Sequence, residues 1–263
     1  MEVMTLSKLL TLVGTKLRKT TERAVEWLTK GRYQTLFLDL PEDLTSFVNE
    51  YSERRISKEE FWQSYGYLTG IQEPYINALR YRMDSLLEAL PDLKNDVPGL
   101  EVYCYQDLQC HIDACNLSEK SLLLETCERV RSKVKTDAWR QLLEEQLELS
   151  AKRLARIMEN ISIRIGAHPW NAILYGGEIK SFKQSIEKIG HKVKVIHLHD
   201  YWRSPLEVLG NMARSWGIHN LSDDLISGCV ESQLRYLDYV LSSRDVDSAH
   251  EKWVSDTLPF FAS

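Results

Sequence analysis

Long hydrophobic runs are missing from this chain. No apolar stretch approaches the ~20 residues that a membrane-spanning helix needs, so the sequence predicts no membrane span. The N-terminus lacks the charged head and small-residue cleavage site of a secretory leader. Cys-x-x-Cys pairs are absent as well. The five cysteines, Cys104, Cys110, Cys115, Cys127 and Cys229, fit neither a paired disulfide framework nor a regular zinc framework. Reduced thiols and a cytoplasmic home are the expectation. A basic excess is missing too. The net charge is −5 and the pI about 5.9, which argues against a nucleic-acid surface. Short basic runs such as Lys16-Leu17-Arg18-Lys19 lie in mixed charge. No repeat, low-complexity stretch or linker breaks the chain.

What is present suits a globular α/β protein. Hydrophobic residues make up 43% and charged residues 27% of 263 residues, enough to bury a full core. Leu9–Val13 is a short apolar run ended by Gly14. A helical stripe from about Thr20 to Lys30 follows, with Ala24, Val25, Trp27 and Leu28 apolar and Gly31 as a C-cap. Thr35–Leu38 reads as a second strand, apolar on both faces. Such strands alternating with helices predict a mainly parallel or mixed sheet flanked by helices.

A large helical insertion is expected over about 45–165, interrupted by a strand near 102–105. Ser57-Lys58-Glu59-Glu60 has the pattern of a capping box. Glu73–Leu90 reads as a helix stopped by Pro91. Residues 119–165 hold no Pro or Gly and read as two long helices with a break near Lys135-Thr136-Asp137. Strand 172–175, a Gly176-Gly177 turn, a helix over 179–189 and strand 193–197 form a β-α-β unit with a right-handed crossover. The C-terminal region is helical, with helices near 205–216 and 222–242. Trp27, Trp170 and Trp202 read as core.

Chemistry-bearing residues collect at strand ends. Gly14-Thr15-Lys16 sits between a strand and a helix, where glycine permits close backbone approach and a helix N-terminus favours an anion. Asp39 ends a strand, the place where open parallel sheets bind ligands. Gly176-Gly177-Glu178 repeats the pattern, and Glu178 is equally placed to cap the next helix. Strand alternation puts His197 and His199 on one face, where two imidazoles suit a divalent metal. In Lys152–Asn160, Arg156, Glu159 and Asn160 share a helical face. Arg156 is there either an internal ion-pair partner or an arginine aimed at an anionic site.

In this order, the pieces resemble a known family. Residues 11–44, TLVGTKLRKTTERAVEWLTKGRYQTLFLDLPEDL, resemble the opening of TraB/PrgY-type proteins of the TraB–Tiki–ChaN–erythromycin-esterase group. There a strand enters Gly-Thr-x-His, a helix follows, and a second strand ends in Val-Glu-Leu-Asp. RLARIMENI resembles the family's arginine-rich helix, and NAILYGGEIKSF its second motif, a strand entering Gly-x-Gly-His. The resemblance implies one TraB/Tiki-like domain over 1–263. It also implies a hydrolytic site built from His and Glu, in some members with a divalent metal. Here Leu17 and Glu178 stand where the motifs have histidine, and Asp39 stands for the glutamate. Leucine can neither ligate a metal nor carry a proton.

Two functional expectations follow. The first is a divergent TraB-like protein that binds or regulates, its hydrolytic site lost and no cofactor needed. The second is a peptidase- or esterase-type hydrolase with a rebuilt acidic or metal site. Asp39, Glu178 and Arg156 are the catalytic candidates. Gly14, Thr15, Lys16, Gly176 and Gly177 are the candidates for binding a ligand, and His197 and His199 for holding a metal. The partner is a small molecule or a protein, and a homo-oligomer is compatible with the sequence. No haem motif is present.

Overall fold

The structure is a computed structural model that describes residues 7–131, 133–199 and 201–257. Its centre is a five-stranded, wholly parallel sheet in the order β3-β2-β4-β1-β5. The strands are β1 (Lys8–Val13), β2 (Thr35–Pro41), β3 (Glu101–Gln106), β4 (Trp170–Tyr175) and β5 (Lys192–His197). The helices are α1 (Arg18–Lys30), α2 (Thr45–Ser52), α3 (Lys58–Thr69), α4 (Glu73–Asp96), α5 (Leu108–Arg131), α6 (Thr136–Ser162), α7 (Ile179–Lys188), α8 (Pro205–Trp216), α9 (Asp223–Ser242) and α10 (Val246–Thr257). None of the helices, among the described residues, is long and apolar enough to cross a membrane.

Contacts group the chain into two compact units. The first comprises 1–112 and 152–200, the second 113–151 and 201–263, so the divisions fall inside α5 and α6.

In the first unit, strand alternation sorts the core onto two faces. Leu10, Leu12, Leu36, Leu38, Ala172 and Leu174 pack under α1–α4, against Ala24, Val48, Trp62 and Leu87. Leu9, Phe37, Tyr105, Ile173 and Tyr175 pack under the end of α6 and α7, against Ile157, Ile161, Phe182 and Ile186. Burial on both faces is why these strands read as continuous apolar runs. From β1 the chain travels past β4 to β2 and β3 with α1–α4 on one face. It returns past β2 to β4, and past β1 to β5, with the end of α6 and α7 on the other. Crossovers that reverse direction and change face keep one hand throughout.

The second unit has its own core of Trp139, Leu142, Leu143, Leu209, Ile218, Ile226 and Val230. One buried carboxylate there is Glu128, 2% exposed, whose two oxygens accept from Trp139 Nε1 and the Lys135 amide, each at 2.8 Å. Ser204 and Glu207 form a capping box at the start of α8, and Glu207 also accepts from the Tyr201 hydroxyl at 2.6 Å.

Several expectations meet the structure closely. The capping box at Ser57 and Glu60 is formed, and the strands fall within a residue or two of their expected spans, although β2 runs on to Pro41. Three details differ. α4 does not stop at Pro91 but runs on to Asp96. Pro91 removes one backbone hydrogen bond, yet Leu86, Leu87, Leu90 and Leu93 continue the buried stripe through it, and that packing carries the helix onward. α5 begins at Leu108, well before residue 119. Trp27, Trp170 and Trp202 are not core; all three are exposed. Trp170 opens β4 and lies under Lys8 Nζ at 4.1 Å, while Trp62 and Trp139 fill the two interiors.

The covered sheet makes a direct prediction. Leu38 is fully buried in β2 between two neighbouring strands. Truncating it to alanine will lower unfolding free energy by about 2–5 kcal/mol, because the rigid sheet cannot close the cavity. Urea unfolding followed by circular dichroism reads this out; a loss below the experimental error would contradict it.

Candidate functional site

The carboxyl ends of β1, β2 and β4 lie side by side. The chain leaves β4 toward one face of the sheet, and leaves β1 and β2 toward the other. The strand ends on either side of β4 are therefore the position where open α/β sheets take ligands. The sequence-selected turns meet there. The Gly14 amide donates to the Tyr175 carbonyl at 3.0 Å, and Asp39 Oδ2 lies 3.5 Å from where a β-carbon on Gly176 would sit.

The first turn is tied to itself. Thr15 Oγ1 accepts from the Leu17 amide at 3.2 Å, the Thr15 amide donates to Thr20 Oγ1, and Thr20 Oγ1 donates to the Leu17 carbonyl at 2.6 Å. Leu17 is 2% exposed, a hydrophobic side chain sealed from solvent. Lys16 is exposed.

Glu178 is the N-cap of α7. Its Oε1 accepts from the Lys180 amide at 2.8 Å and its Oε2 from the Ser181 amide at 2.7 Å. Both carboxylate oxygens thus satisfy orphan donors of the helix start, and the charge sits at the positive end of the helix dipole. Tyr175 stacks on Phe182 at 4.2 Å between ring centres beneath this turn.

Asp39 is differently placed. It lies half-buried near the end of β2, and Gln106 Nε2, from the end of β3, donates to its Oδ1. Gln106 is 2% exposed, and its Oε1 accepts from Arg153 Nε on α6 at 3.3 Å. Tyr105 lies in the same field. Its hydroxyl donates to the Leu174 carbonyl at 2.8 Å, and burial, then the Asp39 charge, hold its pKa far above that of free tyrosine. His111, 9% exposed, shares a 2.8 Å hydrogen bond with the Tyr65 hydroxyl. Burial pushes its pKa down to about 4; Asp39 opposes this, and Arg153 and Arg82 add to it. The imidazole is therefore neutral at pH 7.

The arginine expected at the site is not the one found there. Arg156 pairs with Glu159 at 2.7 Å on an exposed stretch of α6, while Arg153, one turn earlier, reaches Gln106. Gln106, Tyr105 and Tyr65 are members that pattern reading passed over, whereas Arg153 lies in the segment it singled out without being chosen. The available signal was Gln106 closing an apolar strand beside Asp107. The pairing of His197 and His199 on one strand face also changes. β5 ends at His197, which is exposed, and His199 follows buried Leu198 outside the strand. The neighbouring Asp200 lies outside the described residues. Among the described residues no group of three or more His, Cys, Asp or Glu side chains is arranged to hold a metal.

No protein-family model matches the chain, and no curated protein or solved structure is significantly similar to it.

Two measurements probe these assignments. A histidine kept neutral by the fold binds its proton more readily once unfolded. Stability is then complete above the unfolded pKa near 6.5 and is lost as pH falls toward about 4. Roughly 1–3 kcal/mol should disappear over that window, and His111→Gln should flatten this part of the pH profile in urea titrations. An unchanged slope in the variant would rule His111 out as the source. Separately, Glu178→Ala should cost about 1 kcal/mol as a lost cap, and Glu178→Ser should recover most of it. Equal losses in the alanine and serine variants would show that capping is not what the side chain contributes.

Proposed function

We propose that this chain is a divergent TraB-like protein that works by binding a small ligand in the cytoplasm, in a regulatory capacity, with the hydrolytic site of that group lost. The observation that carries the reading is the employment of the two histidine-equivalent positions. Leu17 is sealed in the core, and both oxygens of Glu178 are engaged by the start of α7. A carboxylate whose lone pairs satisfy helix amides is a poor general base, since those bonds favour its charged form and oppose proton uptake. Asp39 remains at the strand ends, hydrogen-bonded by Gln106, which accepts in turn from Arg153, and these groups are what a ligand there would meet.

A second reading rests on the same strand ends. Asp39 lies in the field of His111, a neutral imidazole at pH 7, and a carboxylate with an imidazole is the raw material of a rebuilt hydrolase site. Assays of general esterase and peptidase substrates, with metal content measured on the purified protein, separate the two. The binding reading expects no turnover above buffer. Turnover that disappears in both Asp39→Ala and Glu178→Ala would replace it with the hydrolase.

A further inference from the structure

Gln106 is a buried amide with both ends occupied, one by a carboxylate and one by a guanidinium. Asp39 and Arg153 make no direct ion pair among the described residues. The glutamine holds them apart instead. One amide and two hydrogen bonds set the charged groups roughly 6–8 Å from one another. Opposite charges kept at that separation, half-buried and not neutralising each other, leave an unfilled complement between them.

Each end has capacity left. Among the described residues Arg153 uses only Nε. Its two terminal nitrogens, the pair that grips a carboxylate in bidentate fashion, have no hydrogen-bonding partner among the described residues. Asp39 gives Oδ1 to Gln106 and also meets the buried Tyr105 hydroxyl, and its Oδ2 lies under Gly176, where any side chain would rest against the oxygen. Gly176 and Gly177 are exposed, so this approach to the carboxylate is open. The two groups lie at the carboxyl end of the sheet, beside the reversal of chain direction at β4.

We propose that this edge of the sheet binds a small zwitterion carrying an ammonium and a carboxylate a few bonds apart, the pattern of a free amino acid. Asp39 takes the ammonium, Arg153 the carboxylate, and Gln106 is the positioning residue that sets the distance between them. An amino acid with one hydrogen bond at each end spans about the same length as the gap. A simple anion would satisfy Arg153 and leave Asp39 facing it with like charge. A simple amine would do the reverse. The requirement for both charges is therefore built into the site. The inference names the ligand class of the binding site proposed above and rests on that reading.

The test uses the full chain and the twenty L-amino acids singly, by thermal shift and then calorimetry. At least one should bind. Its decarboxylated amine and its des-amino acid should each bind tenfold or more weakly. Asp39→Asn and Arg153→Gln should each abolish the gain of the zwitterion over the single-charge analogue. Gly176→Val should block the site without altering any charge, and circular dichroism should show all three variants folded. No binding by any amino acid, or binding that survives in both charge variants, overturns the proposal. If the des-amino acid binds as tightly as the amino acid, the zwitterion assignment fails while a binding site at this edge stands. If amino-acid esters or amides, which lack the carboxylate, are turned over and Asp39→Asn stops it, both the zwitterion assignment and the binding-only reading fail.

Discussion

The interaction on which the rest of the first unit depends is the parallel pairing of β4 with β1 and β2. β4 is central, and Ala172 to Tyr175 are all buried. A parallel strand cannot be reached by a tight hairpin, so every connection must travel back over a face of the sheet. Covering both faces makes the strands apolar, and it gathers all five carboxyl ends along one edge. The polar groups at that edge are then partly desolvated. They are stable only if each finds a partner there, and that necessity places Gln106 between Asp39 and Arg153.

The same necessity shapes the two glycine turns that follow β1 and β4. In the first, Leu17 adds to the hydrophobic packing beneath α1, and threonine hydroxyls satisfy the turn's backbone. In the second, Glu178 satisfies the amides of Lys180 and Ser181. Both turns keep the shape that brings Gly14 and Gly176 to that edge, and neither supplies a free titrating group from its fourth position. The remaining chemistry at this edge belongs to Asp39 and the side chains that surround it, contributed by β3, α3, the start of α5 and α6.

Much of the local structure was legible because it rests on local physics. Short runs of four or five residues, mostly apolar, marked each strand, Ser57 and Glu60 marked a capping box, and Gly31 marked the end of α1. Pro91 misled, since the cost of one lost hydrogen bond is local and the gain from burying Leu90 and Leu93 is not. The exposed tryptophans misled for a related reason. Residue type sets the free energy of burial, but only packing decides which faces are covered.

By itself, the sequence determined the α/β class, the alternation of elements and the presence of glycine turns at strand ends, with Asp39 beside them. These follow from periodicity and from backbone preference, which are properties of neighbours in the chain. Tertiary structure alone decided that β4 would lie between β1 and β2, that Arg153 and not Arg156 would reach the strand ends, and that a glutamine 67 positions from Asp39 would hold its carboxylate. Strand order and the rotation of a helix about its axis depend on which faces bury together, and no spacing within one segment encodes that.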